Sequence, residues 1–161
     1  MDLDGTRTIL ATREVVWAKL NDAETLEKCI PGCTELSGNP EDGFEATVVQ
    51  KVGPVKATFK GAVTLSNVNP PDSYTITGEG KGGVAGFAKG GADVSLTDAD
   101  EGTELTYAVR AQVGGKLAQL GNRIIAGFAR KMADEFFDRF KQLNSTDQRS
   151  SFMGQSSTPP P

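Results

Sequence analysis

The chain contains no histidine in 161 residues. Histidine is the side chain that changes charge near neutral pH, the usual general base, the common partner of Ser and Cys nucleophiles and the commonest transition-metal ligand. Its absence removes the ordinary routes to hydrolytic and metal chemistry, and no catalytic or metal-binding residue is assigned. Cysteine is nearly as scarce. Cys29 and Cys33, in "CIPGC", are too few for an all-thiolate zinc site, and their spacing is not the redox C-x-x-C. They read as small apolar side chains at a helix end, with a disulfide or a reactive thiol as the alternatives. Long apolar runs are missing, and "MDLDGTRTIL" is acidic where a signal peptide needs a basic region, so a soluble, cytoplasmic chain is expected. Basic runs interleaved with aromatics are missing too. With 17 Lys and Arg against 21 Asp and Glu, a net charge of −4 would repel nucleic acid, which is set aside as a partner.

What is present is a changing hydrophobic period. Thr6 to Leu10 can form a short strand, after which Thr12 is a candidate N-cap for "REVVWAKL". Asn21, with Glu24 three residues on, has the spacing of a capping box for a second short helix that Pro31-Gly32 stops. From Phe44 the period becomes two. Val55, Ala57, Phe59, Gly61, Val63 and Leu65 alternate with Lys56, Thr58, Lys60, Ala62, Thr64 and Ser66, the pattern of an antiparallel strand with one wet face. Turns at Gly53-Pro54, Asn69 to Asp72 and Asp100 to Gly102 divide a meander of about five strands. The N-terminal strand and a short one at Glu35–Ser37 join it. From Gly115 to about Phe140, Leu117, Leu120, Ile124, Phe128, Met132 and Phe136 recur at three and four residues, which predicts one long amphipathic helix.

The order strand, two small helices, antiparallel strands, long helix predicts an α+β helix-grip fold, START-like, with a curved sheet wrapped around the last helix. Residues 1–143 form the predicted domain. Residues 144–161, "NSTDQRSSFMGQSSTPPP", are polar with no apolar period and read as a disordered tail or linker.

The stretch "GEGKGGVAGFAKGG" contains Gly78, Gly80 and Gly83 in the spacing G-x-G-x-x-G. That spacing cradles phosphate only where a helix opens at the glycines, and the residues that follow alternate as a strand, so a nucleotide site is rejected. The glycines belong instead to a sheet and its rim, where Gly80, Gly83, Gly86 and Phe87 are the candidate residues. Phe87 breaks the inward parity of Ala88, Ala92, Val94 and Leu96, which suggests either a bulge carrying an aromatic cover or an irregular hairpin. Ala46, Ala57, Gly61, Gly78, Gly80, Ala88, Ala92 and Ala111 are predicted to face inward. Positions this small require either a closely approaching helix or an enclosed space. For a ligand cavity, strand parity and helical spacing select Phe59, Val63, Tyr74, Ile76, Leu96, Tyr107, Val109, Leu120, Ile124 and Phe128 as its lining.

Four blocks, "VWAKLNDAETLEKCIPGCTEL", "VGPVKATFKGAVTLS", "GEGKGGVAGFAKGGADVSL" and "VGGKLAQLGNRIIAGFARKMADEFFDRF", resemble those of the carbon monoxide dehydrogenase CoxG family within the SRPBCC superfamily. The resemblance implies a hydrophobic cavity with an isoprenoid quinone, menaquinone or ubiquinone, as ligand. It also implies association with a molybdenum-containing CO dehydrogenase or related hydroxylase, peripherally at the bacterial inner membrane, which members reach through a tail this chain does not show. A non-catalytic carrier needs none of the missing residue types. The alternative is a cyclase or aromatase of the same superfamily, using Tyr74, Tyr107 or an inward Glu for proton transfer.

Overall fold

The computed structural model describes the backbone of residues 1–156 and the side chains of residues 1–144. Strand β1 (Asp2–Ile9) leads into helices α1 (Arg13–Leu20) and α2 (Ala23–Cys29). Six strands follow: β2 (Cys33–Asn39), β3 (Gly43–Val52), β4 (Val55–Asn69), β5 (Ser73–Lys81), β6 (Phe87–Ala99) and β7 (Gly102–Gly114). Helices α3 (Lys116–Gln119) and α4 (Asn122–Ser156) complete the chain. The strands form one antiparallel sheet in the order β1-β7-β6-β5-β4-β3-β2. This is the expected helix-grip arrangement, a curved sheet carrying a long C-terminal helix.

The local signals explain most of the early boundaries. Thr12 caps α1, its hydroxyl accepting from the Val15 amide at 3.4 Å. The cap of α2 is Asp22 and not Asn21. The Asp22 carboxylate accepts from both the amide and the hydroxyl of Thr25, at 3.0 and 2.7 Å, whereas the Asn21 amide turns back to donate to the Trp17 carbonyl. A carboxylate with two donors beside the positive helix end is the stronger cap. The first strand also starts earlier than Thr6, because Asp2 to Thr8 pair with Arg110 to Glu104 across the sheet.

The C-terminal helix is broken. Gly121, at φ +90°, separates α3 from α4, a backbone angle that a residue with a side chain adopts only under strain. The break resets the helical phase. The buried stripe of α4 runs through Ile125, Phe137 and Phe140 with Ala133 and Phe136 beside it, so Ile124, expected to face inward, is 43% exposed. Beyond Asn144 the helix continues to Ser156, and the remainder of the expected tail, 157–161, lies outside the described residues.

Two apolar clusters hold the sheet to the helices. The larger joins Ile9, Val16, Leu20, Cys29, Tyr74, Val94, Leu96, Leu105 and Tyr107 to Phe137 and Phe140 of α4. The smaller joins Val52, Leu117 and Ile125, with Phe59, Val113, Leu120 and Phe128 against them. Cys29 lies inside the larger cluster, where burial pushes its thiol pKa up, and Cys33 donates to the Glu35 carbonyl at 3.3 Å. Both are free thiols, as the reading of them as small packing residues requires.

Candidate functional site

In an antiparallel sheet, directly paired residues share a face, so the register assigns the inner surface. One row runs Ala46, Gly61, Gly80, Ala88, Val113, and the next runs Phe44, Val63, Gly78, Gly90, Ala111. The small inward residues expected from parity thus form a continuous patch across the middle of the concave face, between the two apolar clusters.

The patch is not filled by the helix. A methyl group placed on Gly80 would meet no atom within 4 Å, and one on Gly61 would meet only the Glu79 carbonyl, at 3.6 Å. Ala46, Gly61, Gly80, Ala88, Ala92 and Ala111 are all half-buried, although they lie on the face that elsewhere makes the core. Close packing explains Gly78 instead, because the Val63 side chain lies over it, 2.5 Å from where a Cβ would stand. The two explanations for small inward residues therefore divide between neighbouring positions.

The residues expected to line a cavity fall into separate environments. Tyr74, Leu96 and Tyr107 are buried in the larger cluster, with Ile76 and Val109 packed at its margin. Phe59, Leu120 and Phe128 belong to the smaller cluster, on the other side of the open patch. Val63, half-buried, sits between them over Gly78. Ile124 is displaced from the lining by the phase change at Gly121, and its methyl group lies instead near Gly53 of the β3–β4 turn. Ile125 takes the inward place.

At the rim, β5 and β6 are joined by a 3₁₀ turn at Gly83–Ala85, with Gly83 at φ +60° and Gly86 at φ +111°. The register is unbroken from Phe87 through Ala99, so no bulge occurs at Phe87. Its parity puts it on the outer face, where its ring lies across Gly114. Phe87 does not cover the inner opening. The aromatic that meets this turn from within is Phe59, whose ring lies against Gly82.

Sequence parity also places a charged residue inward that was not singled out. Arg7 shares the inner side of β1 with Leu3, Gly5 and Ile9. Its guanidinium donates to Asp134 of α4 at 2.6 Å and to the Tyr107 hydroxyl at 3.2 Å, and lies 5.1 Å from the centre of the Phe137 ring. Burial opposes the charge, but the bonds to Asp134 and Tyr107 outweigh it and raise the Arg7 pKa. A recess of ≈ 440 Å³ opens here between β1 and α4, reached also by Arg130. The alternation of "LDGTRTI" is the signal that could have found Arg7.

Tyr74 is a poor proton donor or acceptor where it stands. It is edge-on to Trp17 at 5.1 Å between ring centres, and desolvation drives its pKa well above the usual phenol value. Another recess, of ≈ 760 Å³, lies on the outer face of the sheet, lined by Glu45, Thr47, Lys60, Glu79 and Lys81 among others. Its charged walls do not suit an apolar ligand, so the inner patch is the better candidate site. Among the described residues, no group of three or more acidic or cysteine side chains is placed to hold a metal ion. No helix among them is long and apolar enough to cross a membrane.

The solved structures similar to this chain include a conserved protein from Geobacillus kaustophilus. It superposes with a TM-score of 0.84 at 33% identity, covering 91% of this chain and 96% of that one. MLL2253 from Mesorhizobium loti (TM-score 0.66, 17% identity, 91% and 98% covered) and Ms6760 from Mycobacterium smegmatis (0.64, 18%, 88% and 89%) share the fold. No protein of curated function matches. The profile of one family, the CoxG component of carbon monoxide dehydrogenase, matches residues 5–144, a span that takes in β1, the whole inner face, and α4 as far as its last described side chain. The chain belongs to the CoxG family.

Proposed function

We propose that this protein is a non-catalytic carrier that takes an isoprenoid quinone onto the inner face of its sheet and presents it to a molybdenum CO dehydrogenase or related hydroxylase, at or near the inner membrane. Family membership supports the coarser half, a role associated with CO dehydrogenase. The finer half rests on one observation: the open patch at Gly61 and Gly80 lies between apolar side chains of two clusters, with Phe59 and Phe128 on one side and Ile76 and Val109 on the other. A quinone offers a flat ring for such a patch and an isoprenoid chain for the apolar walls. Burying apolar surface there is favourable by about 25 cal/mol per Å².

The enzyme reading is weaker. Tyr107 is tied to Arg7, and Tyr74 is sealed against Trp17, so neither phenol is presented to the open patch for proton transfer.

Native mass spectrometry of protein purified from its host, followed by menaquinone titration of the delipidated protein, tests the carrier reading. The expected result is a copurified isoprenoid and saturable rebinding. A clean apoprotein that binds neither menaquinone nor ubiquinone would overturn it.

A further inference from the structure

The charges of this acidic protein are sorted by pole. No Asp or Glu occurs between Glu45 and Asp72, between Glu79 and Asp93, or between Glu104 and Asp134. These stretches supply the β3–β4 turn, the β5–β6 turn and the β7–α3–α4 junction, which the alternating connections of the sheet bring to one end of the molecule. Gly53 of the first turn faces Leu120 and Ile124, and Gly86 of the second touches Gly115, so the three segments are in contact. Lys51, Lys56, Lys81, Lys116 and Arg123 are exposed around this end. Of the acids nearby, Glu79 lies 3.9 Å from Lys81, and Asp2 sits across from Arg110 in the sheet register. The amino terminus of α4 adds its partial positive charge at the same end. The opposite end carries the other three turns, with Glu41, Asp42, Asp72, Asp98, Asp100 and Glu101.

Within the basic end, apolar side chains stand in solvent. Val84, at the tip of the 3₁₀ turn, is 85% exposed, and Ile124 and Phe87 are 43% and 38% exposed. We infer that this end is a docking surface for an anionic lipid bilayer: Val84 enters the boundary between headgroups and acyl chains while the lysines and Arg123 meet lipid phosphates. Lysine is depleted in protein interfaces, which favour aromatic and arginine anchors on a broad patch, whereas single aliphatic side chains on a narrow lysine-rich tip suit a membrane surface. The inference deepens the carrier reading by naming the surface through which the protein meets lipid. It uses different residues from the ligand patch.

Flotation of the full-length, delipidated protein with quinone-free vesicles tests this surface apart from quinone binding. The vesicles are phosphatidylglycerol–phosphatidylcholine mixtures or phosphatidylcholine alone. Binding is expected only to the anionic vesicles, and to weaken strongly as salt is raised. K51Q/K116Q/R123Q should lower partitioning by roughly fivefold for each charge removed, and Val84→Asp by roughly fivefold or more, with melting temperatures unchanged because all four side chains are exposed. Failure of the wild-type protein to float would overturn the inference, as would flotation that neither variant alters, because the residues 145–161 common to all variants would then carry it. Unaltered flotation with lost capture of the partner dehydrogenase would make this end a protein interface and overturn it equally. Loss of quinone binding in a separate titration would leave it standing.

Discussion

The concave face of the sheet has two halves with the same backbone and opposite treatment of space. Over β1, β7 and the adjoining ends of β6 and β5, inward residues are large, and Tyr74, Leu96, Leu105 and Tyr107 meet Phe137 and Phe140 in a sealed core. Over the middle of β3, β4 and β5, inward residues are Ala46, Gly61 and Gly80, and nothing comes down to meet them. Strand pairing is continuous through both halves, so the open half is not a failure of the sheet. The packed half carries stability, which frees the other half to remain unfilled. Backbone hydrogen bonds maintain the shape of the open half without side chains to prop it.

Truncations should break this contrast if it is wrong. Phe140→Ala removes a ring that is 0% exposed and should cost about 3–5 kcal/mol. Phe128→Ala, at the edge of the open patch, removes a half-buried ring and should cost less than about 2 kcal/mol, while weakening quinone binding. Urea denaturation of both variants checks the pair, and equal costs would mean that the two halves are packed alike.

The next effect is at the rim. Gly86, at φ +111°, is crowded by the backbone of Gly114 and Gly115, so Gly86→Ala should cost about 1–3 kcal/mol, concentrated in the β5–β6 connection. Hydrogen exchange should show faster opening there, with the Phe140 core unaffected. Gly83, also at positive φ, has open space beside it, so Gly83→Ala should be milder.

At the helical side, Asp22→Ala should cost about 1 kcal/mol by removing the cap of α2. Hydrogen bonds from the Thr25 hydroxyl and amide hold the Asp22 carboxyl below its ordinary pKa. A depressed folded pKa contributes stability that is present above the unfolded value and lost as pH falls through the folded one. The difference between wild type and Asp22→Ala should therefore be full at pH 7 and shrink below about pH 4. Denaturation at pH 7 and pH 3 measures it.

The smallest expected stability change is the most informative for function. Gly80→Val places a β-branched side chain, suited to strands, into empty space, so the fold should change by less than about 0.5 kcal/mol in either direction. Menaquinone binding should fall sharply. Unaltered binding would place the ligand elsewhere.

Much of this arrangement was legible in the sequence because strand parity is a strict code. A period of two, once started at Phe44, assigns every later side chain to a face, and the inward series of small residues followed from it. Whether small meant tightly packed or open was not legible, because that depends on what approaches from α4. Gly78 and Gly80 have the same parity and opposite answers. The helix was read less well for a physical reason. Leu117, Leu120, Ile124 and Phe128 keep good spacing across Gly121, and periodicity alone does not register a left-handed residue that rotates everything after it. The α2 cap was missed because Asn21 and Asp22 are both good caps, and only the position of Thr25 chooses between them.

The fit of Tyr107 against Gly5 has a consequence for how this protein can change. The Tyr107 hydroxyl end lies flat on β1, 2.6 Å from where a Cβ on residue 5 would stand, and from there it reaches Arg7. The obstacle to a side chain at position 5 is thus the tip of one ring and not the backbone. Gly5→Ala should be harmful in the present chain and nearly neutral once Tyr107 has become a shorter residue such as leucine, so the order in which the two substitutions arise decides whether either survives. Position 5 is constrained through its neighbour, and a lineage that first gave up the phenol, and with it this anchor of Arg7, would find the glycine free to vary.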